Sequence, residues 1–328
     1  MTQIPHPRTI QSLNGHDTIL SRLMAMEGAG QLPHGLLFSG KRGIGKASTA
    51  YALAKYLLSG SLADRSSILQ HPSSKQLEAG SHPDVAILES HHDDSKESTP
   101  SMSVQHVRDF VSFFTQKSFY GGWRIGIVDP VEDLNRQGAN ALLKLLEEPP
   151  HKTLIILITH RIDSVLDTLR SRCQTIPFKE LPQEECLRIL GNFEISDAPF
   201  LARHCGGSPG IALDLDKMGG AEFYTLFQNA LQALNDKDLR PIYKLLETYV
   251  LSPQDHSKED AWAYFNELLL AEIARLGINN TGFLPHFRPQ DLSKVWFEIG
   301  EMINTTNTFN LDRKQTLVCI FSKLAGLV

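Results

Sequence analysis

The stretch ANALLKLLEEPP, Ala139–Pro150, carries the reading of the fold. Ala139, Leu142, Leu143 and Leu146 fall at i, i+3, i+4 and i+7, which places them on one helical face. Pro149-Pro150 end the helix, because proline has no amide hydrogen and restricts the residue before it. An apolar run of strand length lies on either side. Arg124–Val128 (RIGIV) closes on Asp129, and Thr153–Thr159 (TLIILIT) is β-branched and apolar enough for a strand buried on both faces. Strand, helix, strand in this order is one crossover of a parallel sheet, and an arginine-bearing turn, Ser171-Arg172-Cys173, follows it.

Upstream, Gly35–Ser39 (GLLFS) leads into Gly40-Lys41-Arg42-Gly43-Ile44-Gly45-Lys46, followed by Ala50, Leu53, Ala54, Leu57 and Leu58 at helical spacing. This is a phosphate-loop pattern. Gly40, Gly43 and Gly45 let the backbone curl so that amide hydrogens converge on phosphate oxygens, Lys46 adds a point charge, and the next helix directs its positive end at the anion. The pattern departs at Ala47, where a Ser or Thr hydroxyl would help hold magnesium. Ser48 comes one residue late, rotated by roughly 100° on the helix. Three readings stay open: a working phosphate loop, a glycine-rich turn without ligand, and between them a degenerate loop that binds ATP or ADP weakly without turning it over. The third is preferred. At the end of the following strand Asp129 suits magnesium, but Pro130 stands where an activating glutamate is wanted. Glu132 and Asp133 read as capping a helix that starts near Leu134. Departures in both halves of one site argue against ATP hydrolysis by this chain.

Phosphate loop, acidic strand end, NALLKLLEEPP, polar-ended strand and SRC turn together resemble the clamp-loader branch of AAA+ proteins, and within it the delta-prime branch of bacterial DNA polymerase III. The resemblance runs from HGLLFSG to Ser208-Pro209-Gly210. It implies an α/β AAA+ domain with a parallel sheet at residues 1–178, a small helical lid domain at 179–216 and an all-α collar domain at 217–328 that joins subunits. It also implies a part in loading a sliding clamp on primed DNA during replication, with gamma/tau and delta subunits as partners and clamp and DNA met through the complex. Such a chain belongs to a DNA polymerase holoenzyme without carrying a polymerase site. Arg172 matches the family's arginine finger, which reaches the ATP of a neighbouring gamma or tau subunit, and Thr159 matches the phosphate-sensing position. The chemistry suits Arg172: a guanidinium stays charged, its donor fork fits phosphoryl oxygens, and a finger supplied in trans is worth ~10³ to 10⁵ in turnover. The other reading of Arg172 is a helix-end arginine paired with surface carboxylates. Ile211 replaces the nucleotide-touching arginine that active relatives carry after the SPG-like motif. Relatives often hold a four-cysteine zinc module after the phosphate loop; Gly60–His82 has no cysteine, so zinc is not expected.

At 328 residues, 41% hydrophobic and 21% charged, the chain can bury a core and hold two or three domains. Its net charge of −5 and the absence of a Lys/Arg stripe disfavour DNA binding by this chain alone. Cys173, Cys186, Cys205 and Cys319 have no ligand-like spacing and read as reduced thiols. MTQIPHPRTI lacks an apolar signal core, no run approaches the ~20 apolar residues of a membrane span, and a cytoplasmic location is expected. Ser59–His82 and Ser90–Ser101 read as surface loops, with Val85–Leu88 a short strand between them and Val104, Val107, Val111 and Phe114 the face of a helix. His91, His92, Asp93 and Asp94 do not read as a metal site, since adjacent residues in a polar loop seldom converge on one ion. A helical segment runs from Leu181 to about Asp214. Helices then dominate at Phe223–Leu234, Leu239–Val250, Ala261–Leu276, Leu292–Ile303 and Arg313–Leu327. Two other classes remain: an active AAA+ ATPase, such as the motor subunit or a helicase loader, and a phosphate-loop nucleotide kinase. The SRC turn and the helical last third disfavour the kinase.

Overall fold

The structure is a computed structural model that describes residues 6–10, 14–62, 64–89, 102–250, 262, 265–266, 268–274, 288–309 and 311–326. The expected runs become four parallel strands, β1 (Gly35–Ser39), β2 (Val85–Glu89), β3 (Arg124–Asp129) and β4 (Thr153–Thr159), and a fifth that the sequence did not announce, β5 (Gln174–Pro177), completes the order β2-β3-β4-β1-β5. β1 and β4 are buried along their whole length, which is why they read as continuous apolar runs. The period of two sends Leu36, Phe38, Leu154, Ile156 and Ile158 to one face and Leu37, Ile155 and Leu157 to the other.

Helices cover both faces. On the first lie α1 (Asp17–Gly28) and α2 (Lys46–Leu58), through Leu23, Ala50, Leu53, Ala54 and Leu57. On the second lie α5 (Val104–Phe113) and α6 (Arg136–Glu147), through Val107, Phe110, Leu142, Leu145 and Leu146. The ANALLKLLEEPP helix forms, but its buried stripe is rotated from the expected one: Leu145 is in the core and Leu143 is half-buried. The expected loop at Ser59–His82 instead holds α3 (Arg65–Gln70) and α4 (Pro72–Glu78). Local chemistry forms them. The Asp64 carboxylate caps α3 by accepting from the Ser67 amide and hydroxyl, both at 2.8 Å, and Pro72 starts α4 where its missing N–H costs nothing. Ile68 and Leu77 then enter the core, too few apolar positions to show a period. The His91–Asp94 segment lies outside the described residues.

After β4 come α7 (Asp167–Arg170) and β5, then α8 (Gln183–Leu190). Contacts divide the chain into two compact units, one holding the described residues up to Glu194 with Ala202–Gly210, the other Ile195–Leu201 and the described residues from Ile211 on. In the second unit the described elements are helical, among them Gly220–Ala233, Arg240–Leu245, Pro289–Phe309 and Arg313–Leu324. Its core includes an aromatic cluster: Phe227 stands edge-on to Phe265 with ring centroids 5.7 Å apart, and Phe321 lies 6.2 Å from Phe265. The expected helix at Ala261–Leu276 falls partly outside the described residues.

Gly126 in β3 is where α5 packs most tightly on the sheet. A Cβ there would lie 2.6 Å from Phe110 Cζ and 2.8 Å from Phe114 Cζ. Gly126→Val is therefore expected to cost about 1–3 kcal/mol of stability by overpacking. Urea unfolding followed by circular dichroism measures this, and an unchanged midpoint would contradict the packing.

Candidate nucleotide-binding site

The parallel register collects the strand ends along one edge. Ser39 pairs with Thr159 across β1 and β4, and Glu89 pairs with Asp129 across β2 and β3. Gly40–Lys46 leaves this edge from β1, the strand between β4 and β5, and runs into α2. Gly40 donates its amide to the Thr159 carbonyl at 3.3 Å. Gly45 is the N-cap of α2 with φ +101°, a left-handed conformation that glycine adopts without strain, and no side chain caps the helix's first amides. An uncapped helix end behind a curled glycine loop is a fit to phosphate oxygens. Lys46 is 3% exposed, and its ammonium donates to the carbonyls of Gly40 and Lys41, both at 2.6 Å. Ala47 offers no hydroxyl, and the Thr49 hydroxyl is already given to the Gly45 carbonyl at 2.9 Å.

Three residues distant in the chain meet the loop: His16, which carried no sequence signal, and Ser208 and Gly210 of the SPG-like motif. His16 Nε2 lies 2.7 Å from the Ile44 carbonyl, with its ring edge-on to Phe178, and burial lowers its pKa. The Ser208 hydroxyl donates to the Arg42 carbonyl at 2.7 Å, and the Gly210 amide donates to the Gly43 carbonyl at 2.9 Å. A Cβ on Gly210 would stand 2.6 Å from Gly43 Cα, so this approach requires glycine. The SPG stretch thus lies directly on the phosphate loop.

Asp129 sits half-buried at the end of β3, where burial raises its pKa to about 6. Lys46 opposes that rise, while Glu89, Glu132 and Asp133 add to it. Glu132 does not cap the following helix as expected. Its Oε1 accepts from the His160 amide at 2.8 Å, tying β3's exit to β4's, and Asn135 caps α6 by accepting from the Gly138 amide. His160 is held neutral, its pKa lowered to about 3 by burial and then by Lys46, Arg42 and Arg161. The Thr159 hydroxyl donates to the Arg161 carbonyl at 3.0 Å and accepts from its amide at 3.1 Å, closing the turn after β4.

Arg172 lies at the other end of the sheet. A Cβ on Gly35, the first residue of β1, would be 3.1 Å from the Arg172 carbonyl, whereas the phosphate loop leaves the last residue of β1. Strands rise ~3.3 Å per residue, so β1 separates the Arg172 backbone from its own loop by more than 10 Å. The Arg172 side chain is 36% exposed; it pairs with Glu147 of the LEEPP motif at 2.5 Å and donates to the Thr168 carbonyl at 2.9 Å. An ion pair this exposed is worth ~0–1 kcal/mol and exchanges easily for another anion.

Sheet order, phosphate-loop-like turn and strand-end carboxylate define a domain of the AAA+ fold followed by helices. A family model described as "DNA polymerase III, delta subunit" matches residues 15–182, just over half of the chain. The chain belongs to that family. It is 37% identical to DNA polymerase III subunit delta' of Pseudomonas aeruginosa over 146 residues, 44% of this chain and 43% of the relative. It is 32% identical to subunit delta' of Escherichia coli over 197 residues, 59% and 58% of the two chains. It is also 30% identical to subunit gamma/tau of Mycobacterium tuberculosis over 246 residues, 71% of this chain and 41% of the relative. The matches therefore span about half the length of these relatives.

Because Asp129 titrates near 6 in the folded chain, against a reference of 3.8, the native state keeps a proton that the unfolded chain has released between those values. Stability should then fall as pH rises from 4 to 6 through this group. Asp129→Asn removes the dependence and is expected to gain about 1–3 kcal/mol on wild type at neutral pH that vanishes near pH 4. Thermal melts of both proteins across that range test it; a constant difference would contradict the buried-carboxylate assignment.

Proposed function

We propose that this chain is a delta-prime-type subunit of a DNA polymerase III clamp loader, which acts in the cytoplasm with gamma/tau and delta subunits to load a sliding clamp on primed DNA. In this reading Arg172 completes the ATP site of a neighbouring gamma or tau subunit, and the chain's own site does not hydrolyse ATP. One observation carries it: Arg172 stands at the end of β1 opposite the phosphate loop, so it is out of reach of its own site while exposed for another's. Its only carboxylate partner is the exposed Glu147 among the described residues, which a nucleotide phosphate would displace at little cost. The idle site is supported by Ala47 and Pro130 in place of a magnesium-holding hydroxyl and an activating glutamate, and by the engaged hydroxyl of Thr49. Residues 1–178, 179–216 and 217–328 would serve as nucleotide-binding-like, lid and collar domains.

The test is the DNA- and clamp-stimulated ATPase of a complex reconstituted with gamma or tau and delta. Arg172→Ala at verified assembly is expected to lower turnover by about 10³-fold, and Arg172→Lys, which keeps charge but loses the fork, to lower it nearly as far. Turnover equal to wild type in the Arg172→Ala complex would refute the trans-acting role, and turnover by the isolated chain would refute the idle site.

A second reading concerns nucleotide retention. Gly40, Gly43, Gly45 and Lys46 form a curled loop before an uncapped helix, with Asp129 and Thr159 along the same strand-end edge, an arrangement that supports weak ATP or ADP binding without chemistry. Equilibrium dialysis with radiolabelled ADP should detect binding that Lys46→Ala weakens about tenfold or more, the loss of one charge-assisted phosphate contact. Equal retention by both proteins, or none by wild type, counts against it.

A further inference from the structure

Phe119 and Tyr120 are 74% and 56% exposed, at the tip of the turn between α5 and β3, with their rings edge-on and centroids 4.9 Å apart. Asp84, which is 1% exposed and precedes β2, fixes that turn. Its carboxylate accepts from the Phe119 amide at 2.7 Å, the Tyr120 amide at 3.0 Å and the Ser118 hydroxyl at 3.0 Å. A carboxylate leaves water at little cost only when its oxygens are hydrogen-bonded, and here one turn supplies three donors. Tyr120 is held further: the Gln76 side-chain amide of α4 donates to its hydroxyl at 3.3 Å, and its ring centroid lies 5.6 Å from that of the buried His82. Rings exposed to this degree add little to the core, so a mount this firm points outward.

The same edge of the sheet continues into a cavity. Gly121, with φ +72°, turns the chain from the tip towards Trp123, and the Arg124 amide donates to the Lys152 carbonyl at 2.8 Å, which sets Trp123 beside the entry of β4. There Trp123, His34, His151, Lys152 and Glu27 line an open cavity of about 290 Å³. Lys117 ahead of Phe119, Lys75 beside Gln76 and Lys152 in the cavity wall are exposed, and none of the three has an ion pair among the described residues. The nearby carboxylates are engaged: Asp84 by the turn, Glu78 by Lys55 and Glu27 by the Tyr56 hydroxyl. The three lysines come from separate segments, which is why the sequence showed no basic stripe.

We propose that this amino-end edge of the sheet, from Phe119 and Tyr120 to the cavity at Trp123, is a contact site for single-stranded nucleic acid. Unpaired bases stack on the two exposed rings, one base enters the cavity beside Trp123, and Lys75, Lys117 and Lys152 neutralise phosphates. Single strands are held by this combination of aromatic faces and backbone-tracking cations. An apolar cleft on a protein partner would suit the rings but not the lysines, since lysine is depleted from the buried cores of such interfaces. The chain's net charge of −5 keeps the contact weak and dependent on salt. The site lies at the opposite ends of the strands from the phosphate loop, and the inference does not draw on the proposed role of Arg172.

The experiment titrates the full chain into a fluorescein-labelled oligo(dT) of about 15 nucleotides and follows anisotropy over a range of salt. Binding is expected, with a slope of log affinity on log salt of about −2, three phosphates at about −0.7 each. Phe119→Ala weakens it about tenfold, Phe119→Trp, which keeps a stacking face, restores it, and Lys117→Ala reduces the slope by about 0.7. Both positions are exposed, so these variants should melt with wild type. A bromodeoxyuridine oligonucleotide should cross-link under ultraviolet light to the peptide holding residues 117–123, and a duplex of equal length, whose bases are already stacked, should compete poorly. No binding by wild type, or binding that Phe119→Ala and Lys117→Ala both leave unchanged, would overturn the site. Unchanged binding by Phe119→Ala together with lost assembly with gamma/tau or delta would overturn it in favour of a protein-docking turn.

Discussion

The pairing of β1 with β4 on one side and β5 on the other is the constraint on which the site depends. β1 is buried along its whole length, so its backbone groups must be satisfied by neighbouring strands, and the parallel ladders satisfy them. Because every strand runs the same way, loops that leave the carboxyl ends collect on one edge and turns that enter the amino ends collect on the other. The phosphate loop, Asp129 and Thr159 are thereby grouped together, and the Ser171-Arg172-Cys173 turn is held apart from them. The separation of Arg172 from the phosphate loop is a product of strand direction, with no special device at the arginine.

The loop itself is held by more than its glycines. Its carbonyls at Gly40 and Lys41 take the Lys46 ammonium, those at Arg42 and Gly43 take Ser208 and Gly210, and that at Ile44 faces His16. A curled loop turns amides to one side and carbonyls to the other, and buried carbonyls need partners. The chain supplies them from its own charge and from distant segments, while the helix end behind Gly45 stays without a side-chain cap. In the same neighbourhood one oxygen of Glu132 accepts from the His160 amide.

What was legible in the sequence follows from periodicity and local chemistry. The continuous apolar runs of β1, β3 and β4 announced strands with both faces covered, and the glycine spacing announced the loop. Where the signal was short or sparse it failed. α3 and α4 were hidden because each is about two turns or less and sends only Ile68 and Leu77 among its apolar side chains into the core. The stripe of α6 was misplaced by one position because Leu142, Leu143, Leu145 and Leu146 are all apolar, and packing against Val107 and Phe110 chose which of them turned inward. Glu132 and Asp133 looked like caps because acidic residues favour helix starts, but Asn135 stood closer to the first turn.

By itself, then, the amino-acid order determined the class: a parallel α/β domain with a phosphate loop that lacks a magnesium hydroxyl and an activating glutamate, and a helical remainder. These are properties of residue type at short spacing, where propensity and pattern act within a few turns or a single strand. Tertiary structure alone decided which distant groups meet. The Ser208 hydroxyl on Arg42, the Glu132 carboxylate on His160 and Arg172 beside Glu147 join residues from 25 to 166 positions apart. No local rule encodes such pairs, because they arise when buried polar groups seek partners within the space that the packed sheet and helices leave them.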